Sequence, residues 1–128
     1  MHAVIAICIG ACAGALLRWQ LGLWLNHASG WMPWGTLAAN LVGGYLVGLV
    51  IGTLQQLPQV DPMWRLLLVT GFLGALTTFS SFSAEVVEML LHGRLWQSLG
   101  TTAAHLAGSL VLTWLGLQTA TVLISSRA

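Results

Sequence analysis

The chain has 128 residues, 57% of them hydrophobic and only 5% charged, with a formal net charge of +1. A soluble domain draws about a quarter of its residues from Asp, Glu, Lys and Arg; this chain has no lysine and only three acidic residues. Its mean hydropathy of +0.86 excludes a water-facing surface over most of its length, so lipid is the expected solvent.

Spanning a bilayer takes roughly 20 mostly apolar residues, and four stretches qualify: about 3–25, 35–57, 63–91 and 96–124. Barrel strands are about half that length, and an open sheet leaves backbone groups unpaired in lipid. The expected fold class is therefore an all-α membrane protein, one four-helix transmembrane domain over residues 1–128. A cleaved signal peptide is not expected at the N-terminus. ACA at 11–13 imitates a cleavage site, but MHAVIA has no basic n-region and the apolar run continues far beyond it.

In the first span, Gly10 and Gly14 form a small-residue step on which another helix can lie closely. Cys8 and Cys12, one turn apart, read as small packing residues rather than a disulfide or metal pair. Arg18 is the one basic side chain embedded in a span. It either snorkels to the interface beside Trp19 or lines a vestibule, where its charge would raise the local anion concentration. Trp19, Trp24, Trp31, Trp34, Trp64 and Trp96 fall near helix ends, as interfacial anchors do. In the second span, Thr36 and Asn40 share a face with Gly43 and Gly44, and Gly44, Gly48 and Gly52 continue as a packing ridge. The Asn40 amide either bridges helices or donates hydrogen bonds to a passing anion.

The third span carries GFLGALTTFSSFS at 71–83. Gly71 and Gly74 weaken a helix, and Thr77 and Thr78 compete with it through their own hydroxyls, so the span is expected to break here. A break in lipid is tolerated only where protein or water satisfies the freed backbone, and freed carbonyls commonly bind cations. Phe79 and Phe82, three apart, point to similar faces, while Ser81, Glu85 and Glu88 make an adjacent polar face. Phenylalanine is usually filler, but ring edges beside hydroxyls can face an anion. In the fourth span, Thr101, His105, Ser109 and Thr113 recur every fourth residue, a polar stripe about 18 Å long at 1.5 Å per residue. Such a stripe is either a wet path or a hydrogen-bonded interface. His105 lacks a second ligand for a haem or metal site and reads as a polar contact of the stripe.

Four spans put both termini on one side, with Arg65 and Arg127 there and Arg94 and Arg18 opposite. The positive-inside rule therefore sets no orientation. Either this is an accident of short loops, or the chain inserts both ways and pairs antiparallel.

GACAGALLRW (10–19), GTLAANLVGG (35–44), GFLGALTTFSSFS (71–83) and HLAGSLVLTWLG (105–116) resemble, in order and spacing, the CrcB/Fluc family of fluoride channels. The resemblance covers essentially the whole chain, and its most specific elements are G-T-L-x-x-N and T-T-F-S-x-F-S. It implies an antiparallel, dual-topology homodimer in the bacterial cytoplasmic (inner) membrane, with two fluoride pores built from both subunits. It implies that Asn40 is the pore asparagine, that Phe79 and Phe82 turn ring edges to fluoride, and that Ser109 and Thr113 form a polar track with Ser81 nearby. It further implies a structural sodium ion at the dimer centre, held by the backbone carbonyls of Gly74 and Thr77, with Arg18 in the vestibule and Glu85 beside the pore. The pattern departs at SSF, where STF is more usual, and at His105, which leaves the outer polar track open.

The implied activity is passive export of cytoplasmic fluoride, and no P-loop is present. Neither an enzyme nor a nucleic-acid partner is expected, since Asp61, Glu85 and Glu88 are the only carboxylates and no nucleophile–base or metal spacing accompanies them. The alternatives are a small dual-topology proton-coupled multidrug exporter, disfavoured because the first span carries Arg18 and no acid, and a structural subunit of a larger complex.

Overall fold

The computed structural model describes residues 1–26 and 30–126. Arg127 of the charge count lies outside the described residues, as do residues 27–29 between the first two spans. The regular elements are all helical: α1 (His2–Leu25), α2 (Trp34–Gln56), α3 (Pro62–Arg65), a π-helical run (Leu66–Leu73), α4 (Gly74–Leu76), α5 (Phe79–Leu91) and α6 (Leu95–Ser125). Four segments, His2–Leu25, Trp34–Gln56, Pro62–Leu91 and Leu95–Ser125, are long and apolar enough to cross a membrane.

Local chemistry sets the helix ends. Asp61 accepts a hydrogen bond from the Met63 amide at 2.8 Å, and Pro62 occupies the first turn, where its missing N–H costs nothing. At the far end of the third span, Gly93 adopts φ 71°, a left-handed conformation that a side chain would disfavour. Around it the Arg94 amide bonds the Met89 carbonyl at 2.9 Å and the Gly93 amide bonds that of Leu90 at 3.0 Å. This Schellman arrangement turns the chain directly into α6.

α2 lies along α6, and α1 lies along the π-helical run and α4. Glycine makes both approaches possible. A Cβ on Gly48 would collide with the Thr113 carbonyl, and one on Gly116 with that of Tyr45, so α2 and α6 interlock backbone to backbone. Gly71, read from the sequence as a helix-weakening residue, is also a close-packing residue here: its Cβ would sit 2.7 Å from the Ile7 carbonyl of α1. The core is small, with Ala39, Leu73 and Leu76 at its centre and Leu46, Val47 and Phe72 against them. The accessible surface, 7948 Å², exceeds the roughly 6,600 Å² that a compact soluble monomer of this mass would expose. Large apolar side chains are exposed along the helices. Leu106, Leu110, Val111 and the six tryptophans expected at helix ends all face outward.

Candidate functional site

Between α4 and α5, Thr77 (φ −79°, ψ 150°) and Thr78 (φ −150°, ψ 116°) are extended. The Thr78 backbone is satisfied from another element. The Thr78 amide donates to Asn40 Oδ1 at 2.7 Å, and Asn40 Nδ2 donates to the Thr78 carbonyl at 3.0 Å, so the side-chain amide pairs with a peptide group as a neighbouring strand would. The Thr78 hydroxyl accepts from the Ser81 amide at 3.1 Å and caps α5. Two carbonyls thereby lose the amides that would have closed the next turns on them. That of Gly74 loses Thr78 N–H to Asn40, and that of Thr77 loses Ser81 N–H to the Thr78 hydroxyl. The neighbouring Ala75 carbonyl accepts from Arg18 Nε at 3.0 Å, so Arg18 caps the end of α4 rather than lying free at the interface.

A groove of about 330 Å³ opens beside this clasp, lined by Asn40, Thr78, Phe79, Phe82, His105 and Ser109 among others. Phe79 and Phe82 meet edge to face, ring centroids 5.4 Å apart at 65°. Phe82, 6% exposed, is stacked on His105 at 4.6 Å, whereas Phe79 is 72% exposed. Asn40 Nδ2 lies 3.0 Å from His105 Nδ1. The Asn40 amide is already oriented by Thr78, so its second hydrogen goes to Nδ1. The imidazole proton then sits on Nε2, which is buried and has no partner among the described residues. Both Asn40 hydrogens are therefore engaged, and any further acceptor would have to displace one of these partners. Farther along α6, the Thr113 hydroxyl donates to the Gly44 carbonyl at 2.9 Å, across the helix seam.

The remaining site residues gather on the other side of Thr78. Arg18, Thr36, Thr78, Ser81 and Glu85 line a cavity of about 260 Å³. There the Thr36 hydroxyl donates to Glu85 Oε1 at 2.5 Å. Ser81 thus lies in the cavity with Arg18 and Glu85, and Phe79, Phe82, Ser109 and His105 lie in the groove with Asn40. Sequence reading missed Asn26, whose Oδ1 accepts from the Gly35 amide at 2.6 Å. Asparagine immediately after the last apolar residue of a span is the signal that was available.

The family description "CrcB-like protein, Camphor Resistance (CrcB)" matches residues 5–117, which include every site residue named above. This chain belongs to the CrcB family. It is similar to a protein of Variovorax paradoxus (strain S110), 68% identical over 115 residues that make up 90% of this chain and 91% of that protein. A protein of Albidiferax ferrireducens is 61% identical over 125 residues, 98% of this chain and 95% of its own length. One of Paracidovorax citrulli is 56% identical over 117 residues, 91% and 92% of the two chains. Each of these three CrcB-family relatives is named a fluoride-specific ion channel, FluC.

Proposed function

We propose that this CrcB-family chain is a fluoride-selective channel of the bacterial inner membrane. It works as an antiparallel, dual-topology homodimer with two pores, and it lets cytoplasmic fluoride leave passively. The observation that carries the reading is the open groove. A mostly apolar cleft with Asn40, His105 and Ser109 in its wall opens on the outer flank of a membrane-spanning bundle, and its Phe79 is 72% exposed. Polar groups open to lipid are costly, and a second copy laid over the groove would cover the part-exposed Asn40 and Ser109 and supply the missing wall. The relatives' named activity supplies the ion.

Fluoride holds its hydration shell tightly, so a selective passage must replace water with donors while binding weakly enough to release the ion. The groove meets both demands with neutral groups: the Asn40 amide, the Ser109 hydroxyl and phenylalanine edges. Asn40 is held at two points by Thr78 and at one by His105, so the His105 contact is the one an arriving anion displaces. Ser81 extends the hydroxyl path beyond Thr78, whereas the Thr113 hydroxyl gives its hydrogen to the Gly44 carbonyl and would join the path only by releasing that bond. Arg18 and Glu85 lie together in the adjoining cavity, where the arginine draws anions in.

A structural sodium ion at the dimer centre also belongs to this reading. Sodium is a hard cation suited to oxygen ligands, and the carbonyls of Gly74 and Thr77 are the two that lose their helical amides to Asn40 and Thr78. Those carbonyls would hold the ion, which would supply fixed positive charge at the seam between subunits.

The test is efflux from liposomes containing the purified protein. Fluoride is expected to leave rapidly while chloride is retained. Vesicles tight to fluoride overturn the reading.

A further inference from the structure

The cavity that holds Arg18 is followed, toward the end of the bundle, by a second of about 350 Å³ lined by Glu88, Met89, Arg94 and Gln97 among others. The two cavities share two residues, Asn26 and Glu85, which therefore lie between them, at the place where a path from one cavity to the other would form a neck.

Thr36 adjoins that place and behaves unlike five other threonines of this chain. Thr53, Thr77, Thr102, Thr119 and Thr121 each donate to the carbonyl four residues back, the ordinary satisfaction of a hydroxyl in an apolar helix. The Thr36 hydroxyl instead leaves its helix and donates its single hydrogen to Glu85 Oε1. Its oxygen is then free to accept, and the donor that reaches it is Asn26 Nδ2 at 3.5 Å. The Asn26 amide cannot turn the other way, because the Gly35 N–H, one of the orphan donors at the start of α2, holds Oδ1 at 2.6 Å. The bonds run in one direction: Gly35 N–H orients Asn26, Asn26 orients Thr36, and Thr36 holds one oxygen of Glu85. The other oxygen, Oε2, is buried and has no partner among the described residues.

We infer that Asn26 is a positioning residue for ion passage: through the Thr36 hydroxyl it fixes the Glu85 carboxylate at the neck between the two cavities. The carboxylate is the negative charge an anion must pass there. Held by Thr36 it keeps to one side, and released it swings into the path. The inference rests on the fluoride-channel reading.

The experiment is fluoride efflux from liposomes carrying wild type, Asn26→Asp, Thr36→Val and the double variant. Aspartate still accepts from the Gly35 amide but cannot donate to Thr36, so thermal unfolding in detergent should match wild type. Losing a hydrogen bond of this kind is expected to slow efflux about fivefold in Asn26→Asp, with a similar loss in Thr36→Val. The double variant should be no slower than either single one, because both break the same relay. Wild-type efflux in either single variant overturns the inference. So do losses that multiply in the double variant, since the charge introduced by Asn26→Asp would then be acting directly on the ion. Thr36→Val alone decides the matter if Asn26→Asp does not fold. Wild-type vesicles that hold fluoride would instead end the channel reading, whereas conducting wild type with unaffected variants ends only this one.

Discussion

The seam between α2 and α6 and the junction of α4 with α5 use the same residue types to opposite ends. Along the seam, Gly48 and Gly116 bring two backbones into contact, and the Thr113 hydroxyl is satisfied by the carbonyl of Gly44 in the facing helix. Nothing is left over for a ligand. At the junction, Gly74, Thr77 and Thr78 are also glycine and threonine, and Gly74 and Thr77 still donate their amides to backbone, but both backbone groups of Thr78 are paired by the Asn40 side chain of α2 and the Ser81 amide by the Thr78 hydroxyl. That exchange releases carbonyls and opens a groove. In lipid, polar residues close a structure when their partners are regular backbone, and they build a site when side chains take the backbone's place.

If this contrast is right, the seam should tolerate no added volume. Gly48→Val drives a side chain into the Thr113 carbonyl and is expected to cost about 3 kcal/mol, near the top of the range for overpacking. Gly22→Ala is the matched control, because a methyl there meets only the Asn26 amide at 3.8 Å. It should be neutral or stabilising by about 0.5 kcal/mol. Thermal unfolding of the two variants in one detergent measures the difference, and equal midpoints would mean that the seam is looser than its backbone contacts imply.

The junction should be sensitive to chemistry rather than volume. Asn40→Asp preserves the size and still accepts from the Thr78 amide. It removes both donors, to the Thr78 carbonyl and to His105, and adds a negative charge on the proposed fluoride path. Fluoride efflux is expected to fall about a hundredfold, with the protein still folded by size-exclusion chromatography. Unchanged efflux would make Asn40 only a clasp for Thr78.

The two regions were not equally legible in the sequence. The spans and the glycine ridge of α2 are properties of one helix at a time, and hydropathy with fourth-residue spacing finds them. The partners at the junction lie much farther apart in the chain. Arg18 meets the Ala75 carbonyl 57 residues away, and Asn40 meets Thr78 and His105 at separations of 38 and 65. Periodicity marks Asn40 and His105 as unusual but cannot show that they meet, nor that the two hydrogens of the amide are already engaged. The role of Thr78 was nearer the surface of the sequence, since a threonine just before a helical run is an ordinary cap. Asn26 was missed because its partners, Gly35 and Thr36, belong to the next span, and hydropathy does not relate one span to another.

The finest comparison lies inside the groove, between two phenylalanines of one helix. Phe82 is buried and stacked on His105, so it also holds the imidazole that occupies the Asn40 hydrogen. Phe79 is largely exposed and touches Phe82 edge to face. Isoleucine keeps the apolar character of either residue and removes the ring quadrupole. Phe82→Ile should therefore lose both an edge for the ion and the support of His105, slowing fluoride efflux about tenfold. Phe79→Ile should lose only the edge, about threefold, consistent with the 0.5–1.5 kcal/mol of an aromatic contact. Efflux assays on both variants measure the order. Equal losses would mean that the His105 stack contributes nothing beyond the ring itself, and wild-type efflux in both would leave the pair as apolar filler between α5 and α6.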